Sequence, residues 1–443
     1  MLKSFQEIQC LLIRKALTHD IYCMAVGVVW NDKVWTFTLG FRDVDKRLPV
    51  TDSTNFCIAS ITKSFTALLT LKLQEEGLIN IYDPVIKYLP EVGLRQDVEI
   101  WHLLSHTSGI PALCYAENLI ENLAIGKTSP FSNPETVLTL LSLGENSRVA
   151  NPGESYLYLN EGYVAVGKIL EKVTSKSYSK LLEDYILKPL RMNRTYVDPQ
   201  EFFRDPDHAD LVLYSERGPV KVPFPSGIEA DGGIISNVKD MLKYVTMLIN
   251  RGNVDNVQII SKEMVQEFEK PRIKLPYNIG DEDYYGLGIA ITKMGDITMF
   301  HHSGSILSHT SHMAYIPEKK LGIVVLMSGS SYPPLMVTLH IISKLLNIHI
   351  RQVKWDNILD KLTGTYATRE KVYEVKIVRK GALLEIKSKI GRETILIPEV
   401  LEEDYCRFFT YTPDFRRMYA EFIIRDREVV LRFDRYVLYK VVA

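Results

Sequence analysis

After Arg351 the chain repeats one short unit eight times. Runs of β-branched and aromatic residues at 363–368, 372–379, 382–389, 393–399, 405–411, 418–424, 428–433 and 436–442 are separated by turn-length gaps. Strands at this hairpin spacing, packed into a short tail, predict a small antiparallel β-barrel. The whole chain, 443 residues, is too long for one ordinary core, so two domains are expected. We place them at 1–350 and 356–443, with a linker at about 351–355.

The longer N-terminal part reads as α+β. Residues 2–17 carry apolar positions at helical spacing, and Met24–Trp30 with Val34–Phe37 form a hairpin about Asn31-Asp32. Residues 111–150 are polar and irregular, which suggests a helical layer beside a sheet. Helices are expected over 163–173, 178–187, 238–250 and 334–346. Strands are expected over 285–292, 297–301, 313–316 and 323–327. The expected fold is an antiparallel sheet flanked by helices, with an additional all-helical layer, followed by the barrel.

Ala59-Ser60-Ile61-Thr62-Lys63 opens an apolar run (Phe65, Leu68, Leu69, Leu71, Leu73) that stops at Glu75-Glu76-Gly77. A polar mouth with hydrophobes on several faces behind it predicts a helix buried along most of its length. On such a helix Ser60 and Lys63 share a face, so hydroxyl and amine can meet beside the free N–H groups of the first turn. A desolvated amine can take the serine proton, which makes Ser60 a candidate nucleophile. The pattern alone is weak, because Ser177/Lys180 and Ser236/Lys239 repeat it. The second copy lies in a polar turn and the third reads as an N-cap before Met241; only the first leads a long apolar helix.

Two further triplets matter. Tyr158-Leu159-Asn160 is the one Tyr-x-Asn of the chain, and His302-Ser303-Gly304 ends a strand where Gly304 lets a ligand approach the backbone. In this order the three motifs resemble those of the serine β-lactamase and penicillin-binding-protein superfamily. The branch is that of class C β-lactamases, DD-peptidases, D-aminopeptidases and related esterases. Flanking text agrees over residues 5–347: Leu104–Ile110, Pro152-Gly153, Asp231-Gly232-Gly233 and Tyr285–Gly288. The tail resembles the lipocalin-like domain of archaeal members that act as D-amino-acid-directed peptidases.

The resemblance implies Ser60 as the acylated nucleophile and Lys63 with Tyr158 as the proton-transfer pair, the choice of base between them staying open. It implies Asn160 as a holder of Lys63 and of the substrate amide. The backbone N–H groups of Ser60 and Ser305 would form the oxyanion hole. His302 stands where many relatives have lysine, so strong β-lactam hydrolysis is not expected. A histidine there would attract a substrate carboxylate only when charged, below its reference pKa of about 6.5. The implied activity is cleavage of amide bonds in small peptides, with a carboxylesterase using the same residues as the alternative. A non-catalytic binding or scaffold protein is the lesser alternative, and it predicts loss of a motif.

No cofactor is expected. His301, His302, His309 and His312 cluster in sequence, but strand neighbours point to opposite faces and no cysteine or carboxylate spacing joins them, so no metal is expected. His106 is expected to shape its loop. A net charge of −1 gives no case for nucleic acid or an anionic membrane. No apolar run reaches the ~18 residues of a bilayer span. The polar start and five scattered cysteines point to a cytoplasmic chain without a disulfide framework. Relatives with such tails form closed homo-oligomers, and one is expected here.

Overall fold

Strands that are apolar on both faces build the middle of the main sheet. Seven of the eight residues of β1 (Cys23–Trp30) are buried, and all eight of β8 (Leu321–Ser328) are. Around them lie β2 (Lys33–Gly40), β3 (Ile273–Lys274), β4 (Glu282–Tyr285), β5 (Ala290–Met294), β6 (Ile297–Ile306) and β7 (His309–Ile316). The order is β2-β1-β8-β7-β6-β5-β4-β3, every pairing antiparallel. This computed structural model describes residues 2–45, 47–215, 218–329, 332–389, 393–425 and 428–441. It forms two compact units, Lys15–Thr338 and Met1–Arg14 with Leu339–Ala443.

In the first unit, helix Val238–Ile249 lies across β1, β7 and β8. Asn237 caps it, its Oδ1 accepting the Asp240 N–H at 3.0 Å. Ser236, expected as that cap, is instead in a two-residue strand paired with Phe56–Cys57, and its hydroxyl meets Thr195 Oγ1 at 2.7 Å. The helix behind Ser60, Thr62–Glu75, is buried at nearly every position from Thr62 to Leu73. Each fully buried Leu or Phe contributes roughly 1.5–3 kcal/mol, so this helix is a fixed post on which a site can be built. Helices Tyr115–Ala124, Pro134–Gly144 and Asn160–Thr174 supply the helical layer.

Two strand expectations change. Residues 285–292 are not one strand: β4 ends at Tyr285, and Gly286-Leu287-Gly288-Ile289 turns before β5 begins. Gly288 has φ +69°, and a Cβ there would stand 2.5 Å from the Lys63 carbonyl oxygen, so the turn seats against the helix of Ser60. His302-Ser303-Gly304 does not end its strand, because β6 continues to Ile306 in register with β7. Pairing with β5 stops at His301, which leaves the 302–306 edge open on that side.

In the second unit eight strands close into a barrel in chain order: Gly364–Ala367, Glu374–Lys380, Leu383–Ser388, Glu393–Leu401, Tyr405–Tyr411, Arg417–Arg425, Glu428–Phe433 and Tyr436–Lys440. Alternate residues face in, so Leu384, Ile386, Leu396, Phe408, Phe422 and Leu431 fill the interior. Residues 351–355, expected as a linker, are the first turns of helix Arg351–Leu362. Asp356 on that helix accepts from Arg379 at 2.8 Å and meets His340 Nε2 at 2.7 Å, a buried ionic tie.

Candidate active site

The position of Ser60 is set by strain, and its hydroxyl is left unused by the helix. Ala59 has φ +47°, a left-handed conformation that costs a β-carbon residue roughly 1–2 kcal/mol. It opens the 3-10 turn Ala59–Ile61, which feeds the helix beginning at Thr62. Ser60 therefore sits just before the α-helix rather than within it. The N-cap is Ile61, with no side-chain cap, so the Ser60 hydroxyl is not spent on the helix. Ser177 contrasts: its Oγ accepts the Lys180 N–H as a cap, and Lys180 pairs with Glu183 and Asp184 on the surface.

Lys63 is wholly buried. Its Nζ lies 3.1 Å from Ser60 Oγ and donates at 2.8 Å to the Asp231 carbonyl. It stands 5.0 Å from the centre of the Tyr158 ring and 5.5 Å from that of Tyr163. Ser60, Lys63 and Tyr158 are thus brought together from the turn and helix at 59–75 and the 156–159 segment, nearly a hundred residues apart in the chain.

His106 places Tyr158. It takes φ +59°, and its carbonyl accepts the Leu157 N–H at 2.8 Å while Nδ1 accepts the Leu159 N–H at 2.9 Å. The imidazole lies 4.0 Å from the Tyr158 ring, centre to centre. Burial, with Lys63 nearby, holds it well below the ordinary histidine value, so it is a neutral wedge. The loop-shaping role expected for His106 is present, with the added effect of seating a phenol.

Asn160 makes no hydrogen bond with Lys63 among the described residues; its Oδ1 is buried without a partner. The hold on Lys63 that the resemblance implied comes instead from the Asp231 carbonyl. Gly304 packs against the protein itself, since a Cβ there would meet the Ile58 carbonyl oxygen at 2.1 Å. The Ser311 hydroxyl donates to that same oxygen at 2.8 Å, clamping the turn of Ser60 to the sheet. Ser303 and Ser305 are exposed on the open edge of β6, where the Ser305 backbone faces the side vacated by β5.

His302 differs from expectation in charge. Its Nδ1 lies 2.7 Å from the Ser303 carbonyl oxygen, which can only accept, so Nδ1 carries the proton. Nε2 then accepts from the Tyr285 hydroxyl at 2.9 Å. Both ring nitrogens are occupied, and burial together with Lys63 pushes the group down to about 3. It is neutral at working pH and does not act as a titrating cation toward a substrate carboxylate. His301, on the other face, meets Thr292 Oγ1 at 3.0 Å and His312 Nε2 at 3.2 Å in a separate buried network. Asp231, Tyr285, Tyr163 and Tyr115 were not assigned from sequence as site residues; only the glycine-flanked Asp231 and Tyr285 stood in text that could have marked them.

A buried helix carrying serine and lysine at its mouth, beside an antiparallel sheet, defines the serine β-lactamase and penicillin-binding class. Residues 11–342 match the family model described as Beta-lactamase, and the chain belongs to that family of serine hydrolases. Residues 347–439 match the Pab87 octamerisation domain. The chain is similar to the octameric penicillin-binding protein homologue from Pyrococcus abyssi, at 36% identity, TM-score 0.87, covering 98% of this chain and 100% of that one. It shares the fold of the D-amino acid amidase from Ochrobactrum anthropi SV3, at 22% identity and TM-score 0.65 over 78% of this chain and 99% of that one. Protein flp of Staphylococcus aureus (strain MW2) is 27% identical over 78% of this chain, which spans about two thirds (67%) of that relative. Among the described residues no helix is long and apolar enough to cross a membrane.

Proposed function

We propose that the protein is a serine hydrolase that cleaves amide bonds, including those of D-amino-acid derivatives, through an acyl-enzyme on Ser60. The observation that carries this reading is the uncapped Ser60 hydroxyl 3.1 Å from the buried Lys63 amine. In acylation the Ser60 proton passes to Lys63 or Tyr158 as Oγ bonds the substrate carbonyl carbon. The carbonyl electrons move onto oxygen, held by the N–H groups of Ser60 and Ser305, each such donor contributing about 2.7–4 kcal/mol. Collapse expels the amine, which takes the proton; water then attacks the ester and regenerates Ser60.

Neutral His302 with both nitrogens occupied favours substrates without a free carboxylate beside the scissile bond. Amides and esters fit this better than penicillin-like acids, so carboxylester hydrolysis is the second reading. The test is a panel of D- and L-aminoacyl amides, dipeptides whose C-terminus is either amidated or a free acid, and p-nitrophenyl esters, with fluorophosphonate labelling of Ser60. We expect labelling, and turnover of amides above that of the matched acids at every pH. Absence of labelling in the intact protein would remove the hydrolase reading and leave a binding protein.

We also infer a closed homo-oligomer, supported by the match of 347–439 and by the octameric relative. Light scattering should give a multiple of the 50.7 kDa chain. Deleting residues 352–443 should lower that multiple before it lowers hydrolysis of small esters. A truncated, folded protein inert toward small esters would show that the tail contributes to the site itself.

A further inference from the structure

Asp231 touches the catalytic lysine twice. Its backbone carbonyl accepts from Lys63 Nζ at 2.8 Å, and its side-chain Oδ2 stands 4.0 Å from the same nitrogen. The carboxyl is almost entirely buried, and Oδ1 has no hydrogen-bond partner among the described residues. The backbone carbonyl alone would anchor the amine, so the fold does not need a carboxylate here for that purpose. A buried carboxylate with one oxygen left unpaired is costly to keep, which calls for a task.

We propose that Asp231 is a positioning residue for Lys63, holding the counter-charge of its ammonium form and aiming its lone pair at Ser60. The proposal rests on the reading of Ser60 and Lys63 as nucleophile and proton acceptor. A neutral amine has two N–H groups and one lone pair. On one side of that amine Asp231 presents its carbonyl, which accepts one N–H at 2.8 Å, and its carboxylate, whose Oδ2 at 4.0 Å draws the second N–H by charge and not by a hydrogen bond. The lone pair is left toward Ser60 Oγ, 3.1 Å away, where the hydroxyl proton must go. When Lys63 is an ammonium, its third N–H points at Ser60 and blocks that transfer. The carboxylate therefore improves aim and favours the blocked form at once, so it places the acid limb of the activity.

Every charged or titratable neighbour has to be counted in that balance. The Asp231 carboxyl is faced by Lys63 from the nucleophile helix and by Tyr115 from helix Tyr115–Ala124. Glu161 from helix Asn160–Thr174 and Glu229 from its own loop also act on it. Lys63 is faced by His106 and His302, both held neutral by burial, and by the rings of Tyr158 and Tyr163. Burial, opposed by Lys63 and Tyr115, pushes the Asp231 carboxyl up to about 7. Asp231, whose carboxyl stands 4.0 Å from the amine, is thus an acid whose charge can change near neutral pH beside it.

The test is kcat/KM against pH on a small ester for the full chain, with Ser60 labelling by a fluorophosphonate as an independent readout. In Asp231→Asn the carbonyl anchor and shape remain while the negative charge is lost. The acid limb should move to lower pH by roughly 1–3 units, the usual size for loss of an opposite charge at this distance. Asp231→Ala, which introduces no polar group to bury, should show the same displacement with a lower plateau, because one acceptor is gone. Tyr115→Phe removes a group that eases ionisation of Asp231 and should move the limb the same way by less. An acid limb at the wild-type pH in both Asp231 variants, with Ser60 still labelled, overturns the proposal and leaves the hydrolase reading standing. Loss of labelling in the wild-type protein would instead overturn that reading.

Discussion

Ser60→Ala should abolish turnover, with kcat/KM falling on the order of 10⁶-fold and no acyl-enzyme seen by intact mass. The fold should survive, because the hydroxyl caps no helix and its one recorded hydrogen bond is to Lys63. Loss of that bond costs about 0.5–1.5 kcal/mol. Lys63→Met keeps the buried stem but removes the amine that faces Ser60, and Tyr158→Phe removes a phenol while keeping the ring packed on His106. Each should lower kcat by several orders of magnitude. The double variant should be little worse than the weaker single, because on the proposed mechanism both groups serve one proton transfer and their losses do not add. Comparable hydrolysis by Ser60→Ala would place the chemistry elsewhere, and additive losses would separate the two groups into independent steps.

Periodicity made the helices and the barrel legible, because each is decided by local spacing: apolar residues behind Ser60, and β-branched and aromatic runs at hairpin intervals in the tail. The three Ser-x-x-Lys copies could be ranked for the same reason, since only one leads an apolar helix. What sequence left out depends on contacts between distant segments. The hold on Lys63 comes from the carbonyl of Asp231, 168 residues away, and not from the nearer Asn160, whose Oδ1 has no partner among the described residues. The charge of His302 is decided by burial and by Lys63, and its Nε2 is taken by Tyr285 on β4, none of which spacing within β6 can reveal. The break at Gly286–Ile289 looked like continuous strand because its cause, close approach to the Lys63 carbonyl, is tertiary. The tail's start was displaced because Arg351–Leu362 reads as polar, its helix tied down by Asp356 to Arg379.

The second large effect is acid unfolding. His301 and His309 are pushed down to about 4 and His302 to about 3 by burial; His102 also falls to about 4, and His106 and His312 lie well below the ordinary value. For each, the unfolded chain binds a proton near pH 6.5 that the folded chain refuses. The stability they contribute is complete above about 6.5 and is lost as pH falls toward the folded values, at up to about 1.4 kcal/mol per pH unit for each group. Three buried acids work the other way. Asp231, raised to about 7, and Glu161 and Glu269, raised by burial, favour the folded state when protonated. The six histidines outnumber these three acids, so unfolding takes up protons on balance as pH falls below about 6, and stability drops by roughly 1.4 kcal/mol per pH unit for each proton in excess. Against an ordinary stability of about 5–15 kcal/mol, one pH unit removes a large share. Urea midpoints measured from pH 8 to 4.5 at constant ionic strength should fall steeply below 6, and a flat profile would mean these imidazoles are charged in the fold. The site shares that fate: His302 and His106 cannot take protons in place, so whatever activity remains below the acid limb set at Lys63 should disappear in the same transition as the change in tryptophan fluorescence.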